Sequence, residues 1–181
     1  MVDPELIEEC RNGNLQSFRK LVGISSAFAF PVAFRMLGEE EAAKDVVQET
    51  MITIWSKLKK IRSSASYKTW LYRIVVNKCY DQMRKRKALK ETRADDKTWA
   101  LISNHISDEA PSHLENRETA MIIGLLTEKL SPKQKSVFIL SDLEDLKPEE
   151  ISEITGMSRR NIKANLHFAR KNIGEMIVKY I

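Results

Sequence analysis

A group of basic side chains near the carboxyl end of the sequence directly follows a group of acids. Residues 158–171 carry five basic residues and no acid, whereas residues 142–153 carry six acids and one basic residue. Arginine and lysine bind phosphates, and arginine and asparagine also match the hydrogen-bonding edges of bases. The change in the sign of the charge indicates two neighbouring faces, an acidic one that repels a polyanion and a basic one that binds it.

Two helices joined by a sharp turn would position these side chains. Pro148 opens a short helix, and Ile151 and Ile154 face its core side. Gly156 suits a left-handed turn, and Ser158 is a good N-cap for the next helix. This pattern predicts a helix-turn-helix, whose second helix enters the major groove of DNA. The residues predicted to bind DNA are Ser158, Arg159, Arg160, Asn161, Lys163, Ala164, Asn165, His167 and Arg170, the last two of which would reach the DNA backbone. A helical hairpin with a basic surface is the alternative.

A second basic segment spans residues 57–87, with eleven basic side chains against one acid, hence a net charge of +10. The letters "RSSAS" predict a loop there, followed by a helix from about Thr69. Aromatic residues interleave with the bases, as in surfaces that bind single-stranded nucleic acid. Tyr67, at the edge of the loop, is the predicted stacking residue. Trp70 and Tyr72 are predicted to lie in the core instead.

The segment "EEEAAKDVVQETMITIWSKLKK" has a different character. Its helical wheel predicts a core face of Ala43, Val47, Met51, Ile54 and Leu58. The opposite face places Ile52 in a row with Asp45, Glu49 and Ser56. An exposed aliphatic side chain among acids indicates a protein partner. The alternative is an incidental surface isoleucine.

The whole chain has 181 residues, a net charge of +5 and long stretches of helical periodicity, which predict an all-α fold. A polar, acidic stretch interrupts the periodicity. The predicted organisation is two small helical domains, 1–88 and 118–181, joined by an acidic linker, 89–117. The C-terminal domain contains the helix-turn-helix.

Several function classes lack support in the sequence. The three histidines are scattered, and we find no glycine-rich phosphate loop, metal-ligand pattern or nucleophile–base arrangement. We therefore expect no enzyme, no cofactor and no metal. Cys10 and Cys79 are expected to be reduced thiols. The start is too acidic for a signal peptide, and the apolar run "AFAFPVAF" is too short to span a bilayer. We expect a cytoplasmic protein without membrane insertion.

Three blocks together resemble the bacterial RNA polymerase sigma factors, most closely the small two-domain extracytoplasmic-function (ECF) group. They are "DVVQET" from Asp45, "SYKTWLYRIVVNKCYDQMRKRK" from Ser66, and "LSPKQKSVFILSDLEDLKPEEISEITGMSRRNIKANLHFARK" from Leu130, in the family's order and spacing. The resemblance implies a subunit that gives core RNA polymerase its promoter specificity and assists promoter melting. The competing hypothesis is a stand-alone helix-turn-helix regulator that binds duplex DNA without polymerase.

The resemblance also implies roles for individual residues. Asp45, Gln48, Glu49 and Ile52 match the part that docks on the polymerase β′ subunit. Ser64, Ala65, Ser66, Tyr67, Arg73, Asn77, Asp81 and Arg84 match the part that binds and melts the −10 promoter element. The helix-turn-helix matches the part that reads the −35 element. The implied partners are core RNA polymerase, through its β′ and β subunits, promoter DNA, and an anti-sigma protein.

Overall fold

The computed structural model describes residues 2–60, 67–91 and 122–180, and every regular element in these ranges is a helix. The first part contains α1 (Pro4–Arg11), α2 (Leu15–Leu37), α3 (Glu40–Lys57) with a 3-10 turn (Leu58–Lys60), and α4 (Tyr67–Glu91). The second contains α5, described over residues 122–126, α6 (Pro132–Phe138) continued by a π-helical turn (Ile139–Leu143), α7 (Pro148–Thr155) and α8 (Arg159–Tyr180). The predicted all-α fold of two small helical domains is confirmed.

Local chemistry explains where several helices begin and end. The Asp3 carboxylate accepts a hydrogen bond from the Glu5 N–H, and the Asn14 amide oxygen accepts from two N–H groups at the start of α2. Ser131 caps α6 in a reciprocal capping box with Gln134. Gly38 ends α2 with a φ of 69°, in the left-handed region that glycine adopts without a steric penalty.

Helix α2 corrects one expectation from the sequence. Its 23 residues are long and apolar enough, by length and composition, to cross a membrane. The expectation that the apolar stretch is too short is therefore wrong, because the helix continues on both sides of the eight-residue run. One face of α2 is nevertheless part of the protein core: Leu21, Ala29 and Ala33 are fully buried.

The core of the first domain lies between α2, α3 and α4. Ala43, Ile54 and Leu58 are buried as predicted, while Val47 and Met51 lie half-buried at the edge of the same face. Thr50 sits at its centre, where its hydroxyl donates a hydrogen bond of 2.7 Å to the Val46 carbonyl. A buried hydroxyl satisfied within its own helix is compatible with an otherwise apolar core.

The two domains are in contact. The buried apolar cluster is continuous between them and includes, on the α4 side, Leu71, Val75 and Val76 and, on the other side, Val137, Ile139, Leu140, Leu146, Ile151 and Ile154. A smaller cluster of Leu130, Ala169 and Ile173 joins the start of α6 to the second half of α8. Helix α4 thus belongs to the core of its own domain and also supports the other.

Candidate nucleic-acid and protein interfaces

The turn between α7 and α8 has the geometry of the predicted helix-turn-helix. Gly156 ends α7 with a φ of 73°, and the Ser158 hydroxyl accepts a hydrogen bond of 3.3 Å from the Asn161 N–H. Across the turn, the Ser152 hydroxyl donates a hydrogen bond of 2.8 Å to the Met157 carbonyl. Ile162 anchors the first turns of α8 in the core at 2% exposure. The turn is therefore fixed from both of its ends.

The outer face of α8 presents most of the predicted residues to solvent. Exposed side chains in its first turns are those of Arg159, Arg160, Asn161, Lys163 and Ala164. Arg159 forms an ion pair of 3.1 Å with Glu149 at the start of α7. Asn165 is half-buried, and its amide donates a hydrogen bond of 2.7 Å to the Asn161 carbonyl. One amide N–H and the amide oxygen remain for a base, so this bond restricts the orientation of Asn165 rather than its chemistry.

Arg170 is placed differently from the other predicted residues. Its guanidinium donates two hydrogen bonds to the Asp142 carboxylate, with distances of 2.9 Å and 2.8 Å. These bonds hold the pKa of Asp142 below its usual range. The prediction that Arg170 reaches the DNA backbone stays a prediction: the side chain is exposed, and its guanidinium pairs with the π-helical turn before α7. His167 is exposed and lies beside the Phe168 ring.

Helix α4 carries the described part of the second predicted DNA face. Arg73, Asn77 and Arg84 are exposed and Asp81 is half-buried. Arg84 forms an ion pair with Asp81 on the same helix. Arg73 donates from its Nε to the Glu153 backbone carbonyl of the other domain, at 3.0 Å. The remaining residues predicted for this face, Ser64, Ala65 and Ser66, lie outside the described residues.

Tyr67 does not form part of this surface, and its prediction as a stacking residue is wrong. Its ring is 1% exposed, and its hydroxyl shares a hydrogen bond of 2.7 Å with the Ser25 hydroxyl of α2. Burial raises the pKa of Tyr67 to about 12. Tyr67 is the first residue of α4, so its ring turns inward onto α2. Tyr72 is buried as predicted, whereas Trp70 is only half-buried.

The predicted protein-binding face of α3 extends further than the sequence indicated. Asp45, Gln48 and Ile52 are exposed, and Glu49 pairs with Lys78 of α4 at 2.8 Å. Trp55 is also exposed, by 60%, and its ring packs edge-on against Phe18 of α2 with the ring centroids 4.6 Å apart. The spacing of three residues after Ile52 was the signal that could have placed Trp55 on this face.

No group of residues suited to hold a metal ion occurs in the described ranges. Both cysteines are buried there, and burial raises the pKa of the Cys79 thiol to about 12. A thiol so far from ionisation is a poor nucleophile and a poor metal ligand. The predicted binding features in the described ranges are the exposed basic, acidic and apolar side chains of α3, α4 and α8.

Two family descriptions match this chain, in the same order as the domains. Sigma-70 region 2 matches residues 26–89, and Sigma-70 region 4 matches residues 120–173. RNA polymerase sigma factor SigV of Bacillus subtilis (strain 168) is 31% identical over 142 residues, which are 78% of this chain and 80% of that protein. ECF RNA polymerase sigma factor SigW of the same organism is 25% identical over 182 residues, 98% of this chain and 97% of that protein.

The fold agrees with these matches. The sigma factor RpoE of Bartonella quintana, solved in complex with the anti-sigma factor NepR, superimposes with a TM-score of 0.67 at 22% identity. The superposition covers 90% of this chain and 98% of RpoE. The sequence relatives, the two matched regions and the helix-turn-helix with its basic face all lead to one assignment. The chain belongs to the RNA polymerase sigma factors, and SigW, one of its relatives, is named for the extracytoplasmic-function group.

Proposed function

We propose that this chain binds core RNA polymerase and directs transcription initiation at promoters that it recognises through their −35 and −10 elements. The observation that carries the proposal is the presence, in one chain and in the family's order, of both matched regions, with a helix-turn-helix in the second. We propose no catalytic activity for the chain itself, whose place of action is the cytoplasm.

The −35 element is assigned to the outer face of α8. Arg160 and Lys163 are exposed, and each stands within the first two turns of the helix, where the recognition helix of a helix-turn-helix contacts DNA. Arginine reads guanine in the major groove through two hydrogen bonds, and lysine more often binds phosphate. Arg159 and Asn161 complete this face. Arg170 would reach the DNA backbone once its pair with Asp142 opens.

The −10 element is assigned to α4 and to the preceding segment with Ser64, Ala65 and Ser66. On α4, Arg73, Asn77, Asp81 and Arg84 follow one another at three- and four-residue spacing, which places them along one side of a helix. Trp70 stands on the same side and is half-exposed, so it replaces Tyr67 as the proposed stacking residue. Aromatic rings stack on unpaired bases of any identity.

Polymerase docking is assigned to α3, with Asp45, Gln48, Glu49 and Ile52, and we add Trp55. The exposed apolar side chains of Ile52 and Trp55 stand among acids, as in an interface with an apolar centre and a polar rim. We further propose domain boundaries of 1–88 and 118–181, and regulation by an anti-sigma protein, as in the complex of RpoE with NepR.

Reconstituted initiation tests the proposal. The chain is mixed with bacterial core polymerase and fragmented genomic DNA, and the transcript starts are sequenced. Discrete starts that share two upstream motifs are the expected result. The matched control is the Ile52→Glu variant, whose substitution lies on the exposed face of α3 and should abolish core binding without unfolding the chain. If the wild-type chain neither binds core nor yields starts, the proposal is wrong and a stand-alone regulator of duplex DNA takes its place.

A further inference from the structure

The two arginines that begin α8 have different neighbours, although both side chains are exposed. The Nη1 atom of Arg159 lies 3.1 Å from the Oε1 atom of Glu149, in the first turn of α7. Within the part of the chain that the structure describes, Arg160 forms no such pair. The pair of Glu149 and Arg159 joins the two helices of the helix-turn-helix on the side where α8 begins.

The first turn of α7 holds two acids with different roles. The Glu150 carboxylate accepts a hydrogen bond of 2.9 Å from the Lys147 N–H and so caps the start of α7. The Glu149 side chain is exposed and pairs with Arg159 of the next helix. Glu150 therefore acts on its own helix, whereas Glu149 acts on an arginine of the predicted DNA face.

An arginine paired in this way keeps most of its donors. A guanidinium has five N–H donors, and the contact with Glu149 involves the Nη1 atom of Arg159. The remaining donors are sufficient for the two hydrogen bonds by which arginine reads guanine in the major groove. Because the carboxylate fixes the plane of the guanidinium before DNA arrives, less side-chain freedom is lost when the arginine binds.

We infer that Glu149 is a positioning residue for the −35 element: it holds Arg159 in the orientation in which this arginine reads one base pair. The inference rests on the proposed function. Glu149 does not contact a base in this arrangement and acts only through Arg159.

The strength of the pair depends on whether DNA is bound. In the free chain, the side chains of Arg159 and Glu149 are 71% and 51% exposed, and solvent and salt screen their attraction. When the start of α8 enters the major groove, the DNA displaces water from around the pair. Attraction between opposite charges increases as the surrounding dielectric constant falls. Glu149 therefore orients Arg159 most firmly in the bound state, where the orientation decides which base is read.

The same carboxylate disfavours binding at wrong sequences. A carboxylate near the phosphate backbone is repelled by it, and its pairing with Arg159 offsets this repulsion. When Arg159 turns towards a phosphate instead of a base, Glu149 is left unpaired beside the DNA. The sequence-independent mode of binding is thus penalised relative to the base-reading mode. Glu149 should contribute more to specificity than to affinity.

The test uses the full-length chain in complex with core polymerase, at a promoter mapped with the wild-type chain. A set of templates carries every single base change in the −35 element. Run-off transcription measures discrimination, which is the ratio of initiation with the original base to initiation with each replacement. The variants are Glu149→Gln, which keeps the shape of the side chain and removes its charge, Arg159→Ala, and the double variant. Circular dichroism confirms that all three remain helical.

Glu153→Gln is the matched control. Glu153 lies one turn further along α7 and is exposed, so this variant removes the same charge from the same helix. Arg73 bonds to the backbone carbonyl of this residue, which the substitution keeps.

Arg159→Ala should lower discrimination at one base pair by about tenfold or more, through the loss of a contact with two hydrogen bonds. Glu149→Gln should lower discrimination at the same base pair by about threefold to tenfold, the effect of freeing one long side chain. In the double variant, Glu149→Gln should add nothing to the loss caused by Arg159→Ala. Glu153→Gln should match the wild type.

Three results would overturn the inference. The first is an unchanged pattern of discrimination in Glu149→Gln. The second is an equal change at every position of the −35 element, which would show that the acid only repels DNA. The third is an equal effect of Glu149→Gln with and without Arg159. Failure of the proposed function is seen separately, as absent initiation by the wild-type chain. In that case the same comparison is made by binding of the chain alone to duplexes selected with the wild type, and the same three results decide.

Discussion

The two basic faces of the molecule differ in what surrounds their arginines. On α8, Arg160 and Lys163 stand in solvent, and Arg159 reaches only Glu149 of the neighbouring helix, at 3.1 Å. On α4, Arg73 is bonded to the Glu153 carbonyl of the other domain, at 3.0 Å. The α8 face is complete within its own domain, whereas the α4 face includes a residue that the other domain uses. We therefore expect duplex binding through α8 to need no change between the domains, whereas the use of Arg73 at a nucleic acid requires its bond to Glu153 to break.

The largest expected effect is on the free face. We expect Arg160→Glu to lower initiation at promoters mapped with the wild-type chain by about 100-fold, because a lost arginine–base pairing alone costs about 1–3 kcal/mol and the new carboxylate repels phosphate. The measurement is run-off transcription with reconstituted polymerase. Lys171→Glu is the matched control, since Lys171 lies on the same helix, is exposed, and is three turns further along. An equal loss in both variants would show that net charge decides the result, and would contradict a specific role for Arg160.

The α8 face could be predicted from sequence because its causes are local. The ends of the two helices are set within eleven residues, by Pro148, Gly156 and Ser158. The alternation of isoleucines with basic residues then sets the buried and exposed faces. The same reasoning failed for Tyr67, because Ser25 of α2, which shares a hydrogen bond with its hydroxyl, is 42 residues away in sequence. Its bond to Ser25 has no local signal.

The contact between the domains could not be predicted for the same physical reason. Glu144 appears in the sequence as one of six acids between residues 142 and 153, and its pairing with Arg35 spans more than one hundred residues. Spacing along the chain carries information about faces of a single helix but not about which helices meet. Trp55 is the intermediate case. Its spacing from Ile52 predicts the side of α3 on which it lies, but its exposure depends on how α2 packs against α3.

Lys135 of α6 lies where α6 packs against α4. It is 8% exposed, and Cys79 and Arg86 of α4 lie near it. Burial lowers its pKa to about 8, Glu128 opposes this, and Arg86 adds to it. At neutral pH the charged Lys135 side chain therefore destabilises the folded chain. We expect Lys135→Met to raise the free energy of unfolding by about 2 kcal/mol at neutral pH. One unit of pKa shift corresponds to about 1.4 kcal/mol, and part of the shift reflects relaxation of the protein around the charge.

The pH dependence of this gain is fixed in sign. The folded chain loses the proton near pH 8 and the unfolded chain near 10.5, so wild-type stability rises relative to the variant between these values. Urea unfolding of both proteins across this window measures the difference. Lys133→Met is the control, because Lys133 is exposed on the same helix and should give no gain. A gain that persists unchanged above pH 10.5 would mean that better apolar packing, rather than the charge, explains it.

A smaller effect is expected from the turn that sets the α8 face. Gly156 has a φ of 73°, so Gly156→Ala should lower the free energy of unfolding by about 1–2 kcal/mol through left-handed strain alone. Gly174→Ala, in the interior of α8 with open space around it, should raise it by about 0.5–1 kcal/mol. Thermal unfolding of both variants measures the two effects. The same sign for both would contradict the idea that backbone conformation decides them.

The smallest effect concerns Asp142 and Arg170. The pKa of Asp142 is lowered chiefly by its hydrogen bonds from Arg170, so its contribution to stability is present above the unfolded value of 3.8 and is lost as pH falls through the lower folded value. The Arg170 side chain is 59% exposed, and solvent screens the pair. Asp142→Asn should therefore cost less than about 1 kcal/mol at neutral pH. Urea unfolding at neutral pH and at several pH values below 3.8 measures this cost and its decline.

The same variant refines the comparison between the two faces. Asp142→Asn removes an acid close to α8 and releases the guanidinium of Arg170, so the affinity of the chain for duplex DNA of mixed sequence should rise slightly and become more salt-dependent, as each new phosphate contact releases a counterion. Glu175→Gln controls for the change of charge, since Glu175 lies on α8 only 3.9 Å from Lys171 and is exposed. A rise limited to Asp142→Asn means that even the free face has one arginine withheld by the scaffold. An equal rise in both variants assigns the effect to net charge and leaves Arg170 without a role at the DNA.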